Sequence, residues 1–272
     1  MTISVLILTL NEATNLRDAI ESVNGSDDVV IFDSFSNDET VSIAEAAGAR
    51  VKQRKFDNYA SQRNAALTQV EFKHPWVLML DADERVTPEL WSEMCAQIRT
   101  GSPELALFRM RRKDFFIGRW LKRSSGYPTW FGRLMRIGAV RVEREINEEY
   151  VTDGEIGYLQ GHLIHFPFNR GIAYWFERHN SYSTVEAKRL IQETAATWHA
   201  VDLVSTDPTL RRKALKQLAF RSPYRPTLVF IYLYFIRLGI FDGHAGFHYC
   251  RMRAIYEYMI DLKVQETRQH NR

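Results

Sequence analysis

Short apolar runs recur at intervals over the first hundred residues of the chain. Residues 3–8 (ISVLIL) form a nearly continuous apolar run, and residues 29–32 and 76–80 repeat the pattern, while residues 49–52 are predicted to be a further brief strand. Runs of this length predict strands that are buried on both faces, as in a mostly parallel sheet.

Helical segments lie between these runs. Apolar residues recur at helical spacing from Leu16 to Val23, residues 38–47 end at Gly48, and residues 59–67 form a third segment. Thr87 caps a fourth helix that has Pro88 at its first position. The β-α-β-α order predicts an α/β fold in which helices flank a mostly parallel, Rossmann-like sheet with right-handed crossovers.

The rhythm changes after Gly101. Residues 105–110, 132–137 and 140–142 are predicted to be short strands, and residues 172–191 one long helix. Residues 210–220 have the pattern of a basic amphipathic helix. We therefore expect a catalytic domain over residues 1–205, with halves 1–100 and 101–205, and a C-terminal helical extension over residues 206–272.

Charge is unevenly distributed although the formal net charge is only +3. Residues 109–144 contain eleven basic and two acidic residues, and residues 208–241 contain seven basic residues and no acid. Such blocks indicate an anionic ligand or surface, although a solvated basic face gives the same pattern. The C-terminal block, followed by the aromatic run 229–235, favours peripheral contact with an anionic membrane. A helical hairpin that packs on the domain or on a second subunit is the alternative.

Location and partners can be narrowed further. The chain has two cysteines in no metal-ligand spacing and no basic segment before its first apolar run, so we expect a reducing cytoplasm and no cleaved signal peptide. The apolar run 227–236 is too short to span a bilayer. A cytoplasmic protein on the inner membrane face, without a nucleic-acid partner, is the expectation, and the oligomeric state is open.

Polar residues cluster where three predicted strands end. These clusters are residues 9–12 (TLNE), 33–38 (DSFSND) and 81–84 (DADE). Ligands of open α/β sheets bind outside the carboxyl ends of the strands, where these clusters should meet. One helix cap per loop would explain one polar residue in each loop, and the clusters exceed that.

Asp81 and Asp83 are the sharpest local feature. Two carboxylates at alternate positions of a strand end can share Mg²⁺ or Mn²⁺ with a diphosphate, and the cation offsets charge on the leaving group. Short acidic pairs are common in loops. This pair gains weight because an apolar strand precedes it and a Thr-Pro helix start follows.

Four ordered motifs make the first ninety residues resemble a glycosyltransferase family 2 domain of the A-type, nucleotide-binding fold. They are TLNEATNL (9–16), DSFSNDET (33–40), QRNAAL (62–67) and LDADERVTPEL (80–90). The later part resembles bacterial lipopolysaccharide core glucosyltransferases. Its matching segments are FFIGRW (115–120), GYPTWFGRLMR (126–136), INEEY (146–150), GHLIHF (161–166) and FIRLGIFDGHAGF (235–247).

The resemblance implies a role for each matched position. The nucleotide-sugar site would consist of Thr9, Asn11, Glu12, Asp33, Arg63 and Asp81. Asp33 would hydrogen-bond the base, and Arg63 would face the base or the diphosphate. Asp81 would reach the ribose or the metal and Asp83 would hold the metal, with His165 as a third ligand or a diphosphate contact. Trp130 and Arg133 are candidates for the acceptor site, although core packing and a solvated charge would explain them equally.

An inverting transfer also needs a general base for the acceptor hydroxyl. Glu148 is the candidate, with Glu149 and Glu84 as alternatives. The related motif is commonly His-Glu and here it is Asn147-Glu148. His162 and His165, three positions apart, would face opposite sides of a strand, so one of them enters the site.

The resulting expectation is an inverting, metal-dependent transfer of a hexose from a UDP-sugar to a saccharide or glycolipid acceptor. Glucose and the lipopolysaccharide inner core are the favoured sugar and acceptor. A haloacid-dehalogenase-like phosphohydrolase would prefer Thr or Val where Arg85 stands. A nucleotidyltransferase would need a Gly-rich, basic loop after the first strand. A non-catalytic sugar-nucleotide-binding protein is the third alternative.

Overall fold

The computed structural model describes residues 2–143, 149–194 and 224–270. The chain divides into two compact units: Met1–Phe115 with Tyr127–Asn169, and Phe116–Gly126 with Arg170–Arg272. The boundary expected at residue 205 and the basic helix predicted over residues 210–220 both lie outside the described residues. They stay predictions.

The first unit is an α/β domain. Its strands are β1 (Ser4–Thr9), β2 (Val29–Asp33), β3 (Arg50–Gln53), β4 (Trp76–Asp81), β5 (Glu84–Val86), β6 (Leu105–Phe116), β8 (Trp130–Arg136), β9 (Arg141–Glu143), β10 (Glu149–Val151) and β11 (Glu155–His165). Its helices are α1 (Ala13–Glu21), α2 (Thr40–Ala46), α3 (Tyr59–Gln69) and α4 (Pro88–Thr100).

The main sheet has the strand order β3-β2-β1-β4-β8-β6-β11-β5. The β3-β2-β1-β4 half is parallel, as predicted, whereas β8 pairs antiparallel with both β4 and β6. Apolar side chains fill both faces, with Ile7, Leu78 and Leu90 in one core and Leu6, Met79 and Met135 in the other. The predicted α/β class is therefore confirmed.

Two strands in the second half exceed the sequence prediction. β6 continues for six residues past Met110, through a polar run in which the apolar signal ends. β11 is eleven residues long and contains Gly157 and Gly161, which weaken the strand pattern. A Cβ on Gly161 would lie 2.9 Å from Leu90, so a glycine lets α4 pack closely here.

The second unit is mostly helical. It contains β7 (Arg119–Trp120), α5 (Gly171–Thr194), α6 (Arg225–Ile231), a π-helical turn (Tyr232–Ile236), a 3-10 turn (Gly239–Asp242) and α7 (Gly243–His270). In the described part of the chain, no single helix is long and apolar enough to cross a membrane. The pair Arg225–Ile236 and Gly239–His270, bent by 74°, meets the length and composition criteria only together.

Candidate active site

The strand register brings the three polar clusters to one edge of the sheet. Thr9 lies opposite Asp33 on β2, and Leu8 lies opposite Asp81 on β4. Neighbouring strands are about 4.8 Å apart, so Asp33 and Asp81 flank the end of β1 at roughly 10 Å from each other. The juxtaposition expected from the sequence is confirmed.

Hydrogen bonds join the first two clusters into one rigid loop pair. The Asn11 amide donates to Ser36 Oγ, and the Asn37 amide donates to Asn11 Oδ1, both at 2.8 Å. Asn11 has φ 55°, a left-handed conformation that asparagine tolerates better than most residues. The Glu12 amide donates to Thr40 Oγ1 at 2.8 Å. The second loop therefore satisfies backbone donors at the start of α1.

Asp33 is fully buried inside this loop pair. Its oxygens accept hydrogen bonds from Thr9 Oγ1 at 2.8 Å, from the Ser36 amide and hydroxyl, and from Gln53 Nε2 at 3.0 Å. Burial raises the pKa of Asp33, but these donors outweigh burial and hold the pKa below its usual value. The geometry makes Asp33 an organiser of the loop, and its contact with a base stays a prediction.

Asp81 is held between two arginines. Oδ1 accepts from Arg63 at 2.8 Å and Oδ2 from Arg133 at 2.6 Å. Burial raises the pKa of Asp81, whereas Arg133 and Arg63 lower it well below the usual range. The Asp81 carboxylate is therefore ionised near neutral pH, and 30% of its side-chain surface is exposed.

Strand alternation explains how Arg133 reaches this position. It faces the same side as Met135, and this side also carries Met79 and Asp81 of the neighbouring β4. Phe108 on β6 pairs with Leu134 and Arg109 pairs with Gly132, so Arg133 has no register partner on β6. Arg133 is 4% exposed and also donates to Glu84 at 2.9 Å. The sequence made Arg133 a candidate for the acceptor site. The structure instead places it against Asp81 and Glu84, which we name the acidic cluster.

Glu84 is the most deeply buried carboxylate of this cluster. Its side chain is fully buried and accepts from Arg133, from Arg112 at 3.3 Å and from the Asp81 amide at 3.1 Å. A carboxylate so enclosed cannot reach an acceptor hydroxyl. This geometry counts against Glu84 as the general base.

Asp83 forms a second pair with His165. His165 Nε2 lies 3.2 Å from Asp83 Oδ2, and Nδ1 lies 2.7 Å from Asp114 Oδ1. Burial and Arg112 lower the pKa of His165, but Asp83 and Asp114 outweigh them and raise it to about 9. His162 instead lies 2.7 Å from the Tyr127 hydroxyl, so the two histidines separate as the strand geometry predicts.

The turn from Asp81 to Asp83, which we name the acidic turn, fits a cation that is also coordinated by substrate phosphates and water. Among the described residues, no group of three or more His, Cys, Asp or Glu side chains is arranged to hold a metal ion. Both Asp81 oxygens contact arginines, whereas the Asp83 carboxylate contacts His165 and keeps 21% of its side-chain surface exposed. Mg²⁺ sites commonly use one or two carboxylates plus substrate phosphates and waters, which matches this donor set.

The base candidates can be separated only in part. Glu148 lies outside the described residues. Glu149 is exposed on β10, and its neighbour Tyr150 is buried with its hydroxyl 3.3 Å from Arg133 Nη1. Because successive strand residues face opposite sides, Glu149 points away from the acidic cluster.

Trp130 belongs to a different surface from Arg133. Its ring packs edge-on against Tyr158 at 5.1 Å, and the Arg111 guanidinium lies 4.9 Å from the ring centre. Tyr158 is 53% exposed. The result is an aromatic and basic platform formed by Trp130, Tyr158 and Arg111, a surface suited to a sugar ring with an anionic group.

Sequence reasoning missed several residues that complete the site. Arg112 and Asp114, two positions apart on β6, contact Glu84 and His165. Phe35 was overlooked within a polar loop, although it has φ 61° and is 58% exposed beside Asp33. An aromatic residue inside a polar cluster was the available signal. Arg112 and Asp114 gave none, because their partners come from distant segments.

Comparison with known proteins identifies the class. The sequence profile of glycosyl transferase family 2 matches residues 4–146, and the chain belongs to this family. It is therefore a glycosyltransferase, and the family's reactions invert the anomeric centre. Family membership excludes the phosphohydrolase expected as an alternative.

Curated relatives carry related descriptions. The chain is 27% identical to "Lipopolysaccharide core biosynthesis glycosyltransferase LpsC" of Rhizobium meliloti (strain 1021), over 97% of this chain and 92% of that protein. It is 43% identical over 93 residues to an "Uncharacterized glycosyltransferase" of Rickettsia bellii (strain RML369-C), which covers 34% of this chain and 31% of that protein.

A solved structure shows a weaker likeness. Glucosyl-3-phosphoglycerate synthase from Mycobacterium tuberculosis aligns with a TM-score of 0.36 and 23% identity, over 41% of this chain and 44% of that chain. A TM-score this low supports no inference about the ligands of this protein.

Proposed function

We propose that this protein transfers a hexose, with glucose favoured, from a UDP-sugar to a saccharide of the lipopolysaccharide inner core. The observation that carries the proposal is the juxtaposition of the Asp81–Asp83 turn with the rigid loop pair around Asp33, in a family 2 chain. The name of the R. meliloti relative supports the acceptor class.

The donor would bind across the carboxyl edge of β1, β2 and β4. Thr9, Asn11 and Glu12 would line the nucleotide side, and Phe35 offers an exposed ring on which a base can stack. Replacing Phe35 with Ala should raise the KM for the UDP-sugar about tenfold, because base–aromatic stacking contributes about 1–3 kcal/mol. An unchanged KM would remove Phe35 from the donor site.

Asp83, with Asp81 behind it, would hold Mg²⁺ or Mn²⁺ against the diphosphate. The cation would offset the charge that develops on the leaving diphosphate. Arg63 and Arg133 keep Asp81 ionised and fixed, so the carboxylate does not need to reorganise during the reaction. His165 would act as a third ligand in its neutral form, or as a diphosphate contact in its protonated form.

Glu148 would act as general base in a single displacement. The acceptor oxygen forms a bond to the anomeric carbon, the bond to the diphosphate breaks, and the hydroxyl proton passes to the carboxylate. Glu148→Gln should abolish turnover and retain donor binding, and Glu149→Gln is the matched control. Full turnover of Glu148→Gln would remove it from the mechanism.

The acceptor would lie on the platform formed by Trp130, Tyr158 and Arg111. Ring faces suit sugar C–H groups, and a guanidinium suits an acidic sugar or a phosphate. We place the reaction at the cytoplasmic face of the inner membrane, with residues 206–272 as a peripheral membrane extension and residues 1–205 as the catalytic domain.

A screen of nucleotide sugars tests the whole proposal. UDP-glucose with Mn²⁺ or Mg²⁺ should raise the melting temperature more than other nucleotide sugars, and the metal should be required. Acceptor trials with truncated core saccharides should then yield a glycosylated product. Binding of the donor without turnover on any acceptor would favour the non-catalytic alternative.

A further inference from the structure

An exposed apolar segment lies in the second unit. Between residues 228 and 241, which we name the apolar tip, eight large apolar side chains are at least 41% exposed. Ile236 and Phe241 reach 68%. Contiguous apolar surface of this kind is rare on monomeric soluble proteins and marks a binding surface.

The backbone of the apolar tip is firmly fixed. The buried Asp242 carboxylate accepts hydrogen bonds from the amides of Arg123 and Ser124, at 2.9 and 2.8 Å, and from the Ser124 hydroxyl at 2.8 Å. A Cβ on Gly246 would lie only 2.3 Å from the Gly239 carbonyl, so α7 begins in direct contact with the 3-10 turn. The apolar side chains are therefore presented by a fixed bend.

The charged side chains exposed in the two segments next to the buried Asp242 are basic. Residues 224–241 contain no acidic residue. The Phe116–Gly126 segment, whose Arg119 donates to the Phe241 carbonyl at 3.2 Å, also contains no acid. It exposes three basic side chains, which we name the basic rim: Arg119, Lys122 and Arg123.

We propose that the apolar tip inserts into an anionic lipid bilayer, at the boundary between headgroups and acyl chains, while the basic rim contacts lipid phosphates. An apolar, aromatic surface edged by basic residues matches that boundary. The inference rests on the peripheral location proposed above and not on the transfer reaction.

Vesicle flotation with the full-length protein tests the insertion. The protein should float with phosphatidylglycerol-containing vesicles, and the double variant Ile236→Asp/Phe241→Asp should lose at least tenfold in binding, because it places charge where apolar contact is needed. Tyr258→Asp is the matched control. Tyr258 is 54% exposed on α7, about 22 Å along the helix from Gly243, and should bind normally.

The basic rim has its own test. Lys122→Gln and Arg123→Gln should each weaken binding about fivefold, since a basic residue near an anionic surface contributes about 1 kcal/mol. The loss should disappear on vesicles of phosphatidylcholine alone. An equal loss on both vesicle types would contradict the charge contact.

A depth measurement covers the case in which the double variant does not fold. An environment-sensitive fluorophore is attached to the Ile236→Cys variant in a Cys95→Ser background. Its fluorescence emission should shift to the blue when anionic vesicles are added. The inference is overturned if the wild-type protein does not float or if the double variant floats normally. It is also overturned if the double substitution changes only the oligomeric state. Vesicle binding without any sugar transfer would defeat the proposed function and leave this inference standing.

Discussion

Asp33 and Asp81 end β2 and β4, the two strands that flank β1, and their surroundings differ. Among the described residues, the hydrogen-bond donors to the fully buried Asp33 are neutral, whereas Asp81 is partly exposed and lies between two arginines. Neutral donors stabilise the ionised Asp33 carboxylate and hold the loop in place. Arginines instead build an ionised cluster that can face a cation and a diphosphate. The contrast separates loop-building from charge chemistry within one sheet edge.

Removing Arg133, which contacts both Asp81 and Glu84, should disrupt the ionised cluster around Asp81. Arg133→Met leaves the more distant Arg112 as the cationic partner of the fully buried Glu84, so the free energy of unfolding should fall by about 3–5 kcal/mol. Urea unfolding measures this change. Arg112→Met is the matched control and should cost less, because Arg112 is 19% exposed and contacts Glu84 at 3.3 Å. Equal losses of unfolding free energy in the two variants would show that Arg133 stabilises Glu84 no more than Arg112 does.

Asp83→Asn should separate catalysis from stability. Turnover should fall by about 10²–10³, in the range for losing one electrostatic contact to the transition state. The melting temperature should change little, because Asp83 makes one side-chain contact with His165. Metal titrations of turnover and thermal scans provide the two measurements. Wild-type turnover in this variant would eliminate Asp83 as a metal ligand.

Asp33→Asn should weaken the hydrogen bonds that hold the loop pair around Asp33. The new amide group meets donors from Ser36 or Gln53, so the variant should lose about 2 kcal/mol of stability and bind the UDP-sugar more weakly. Denaturant unfolding and donor titration are the checks. Ser34→Ala, at a residue that accepts one hydrogen bond from Gln62, serves as a milder control in the same loop.

The smallest effect concerns pH. The pKa of Asp33 is lower in the folded protein than in the unfolded chain, so its contribution is present above about pH 4 and is lost as pH falls through the folded pKa. The stability gap between wild type and Asp33→Asn should therefore narrow as the pH falls below about 4 and through the folded pKa of Asp33. A gap that widens on acidification would show that the carboxyl is protonated in the folded state.

Much of the sheet edge could be predicted from sequence because its signals are local. Residues 3–8 and 76–80 are apolar runs of strand length, and Thr87-Pro88 marks a helix start whose cap the structure contains, with Thr87 Oγ1 accepting from the Leu90 amide. Parallel strands then bring their carboxyl ends together by topology alone. The polar loops could be placed next to one another without coordinates.

The partners of the acidic turn could not be predicted in this way. Arg133 reaches Asp81 because β8 pairs antiparallel with β4, and the contact joins residues 52 positions apart in the chain. Asp114 meets His165 because β6 and β11 pair in parallel, across 51 residues of chain. Both contacts depend on register, which is a property of two strands together.

The sequence by itself determined the α/β class, the family and the polar edge at the carboxyl ends of β1, β2 and β4, because apolar periodicity and short motifs act locally. Only the tertiary structure decided which charges neutralise one another: Asp81 with two arginines, Glu84 beneath them, and His165 between two carboxylates. Charge pairing depends on distances of a few ångströms between distant segments, and packing alone sets those distances.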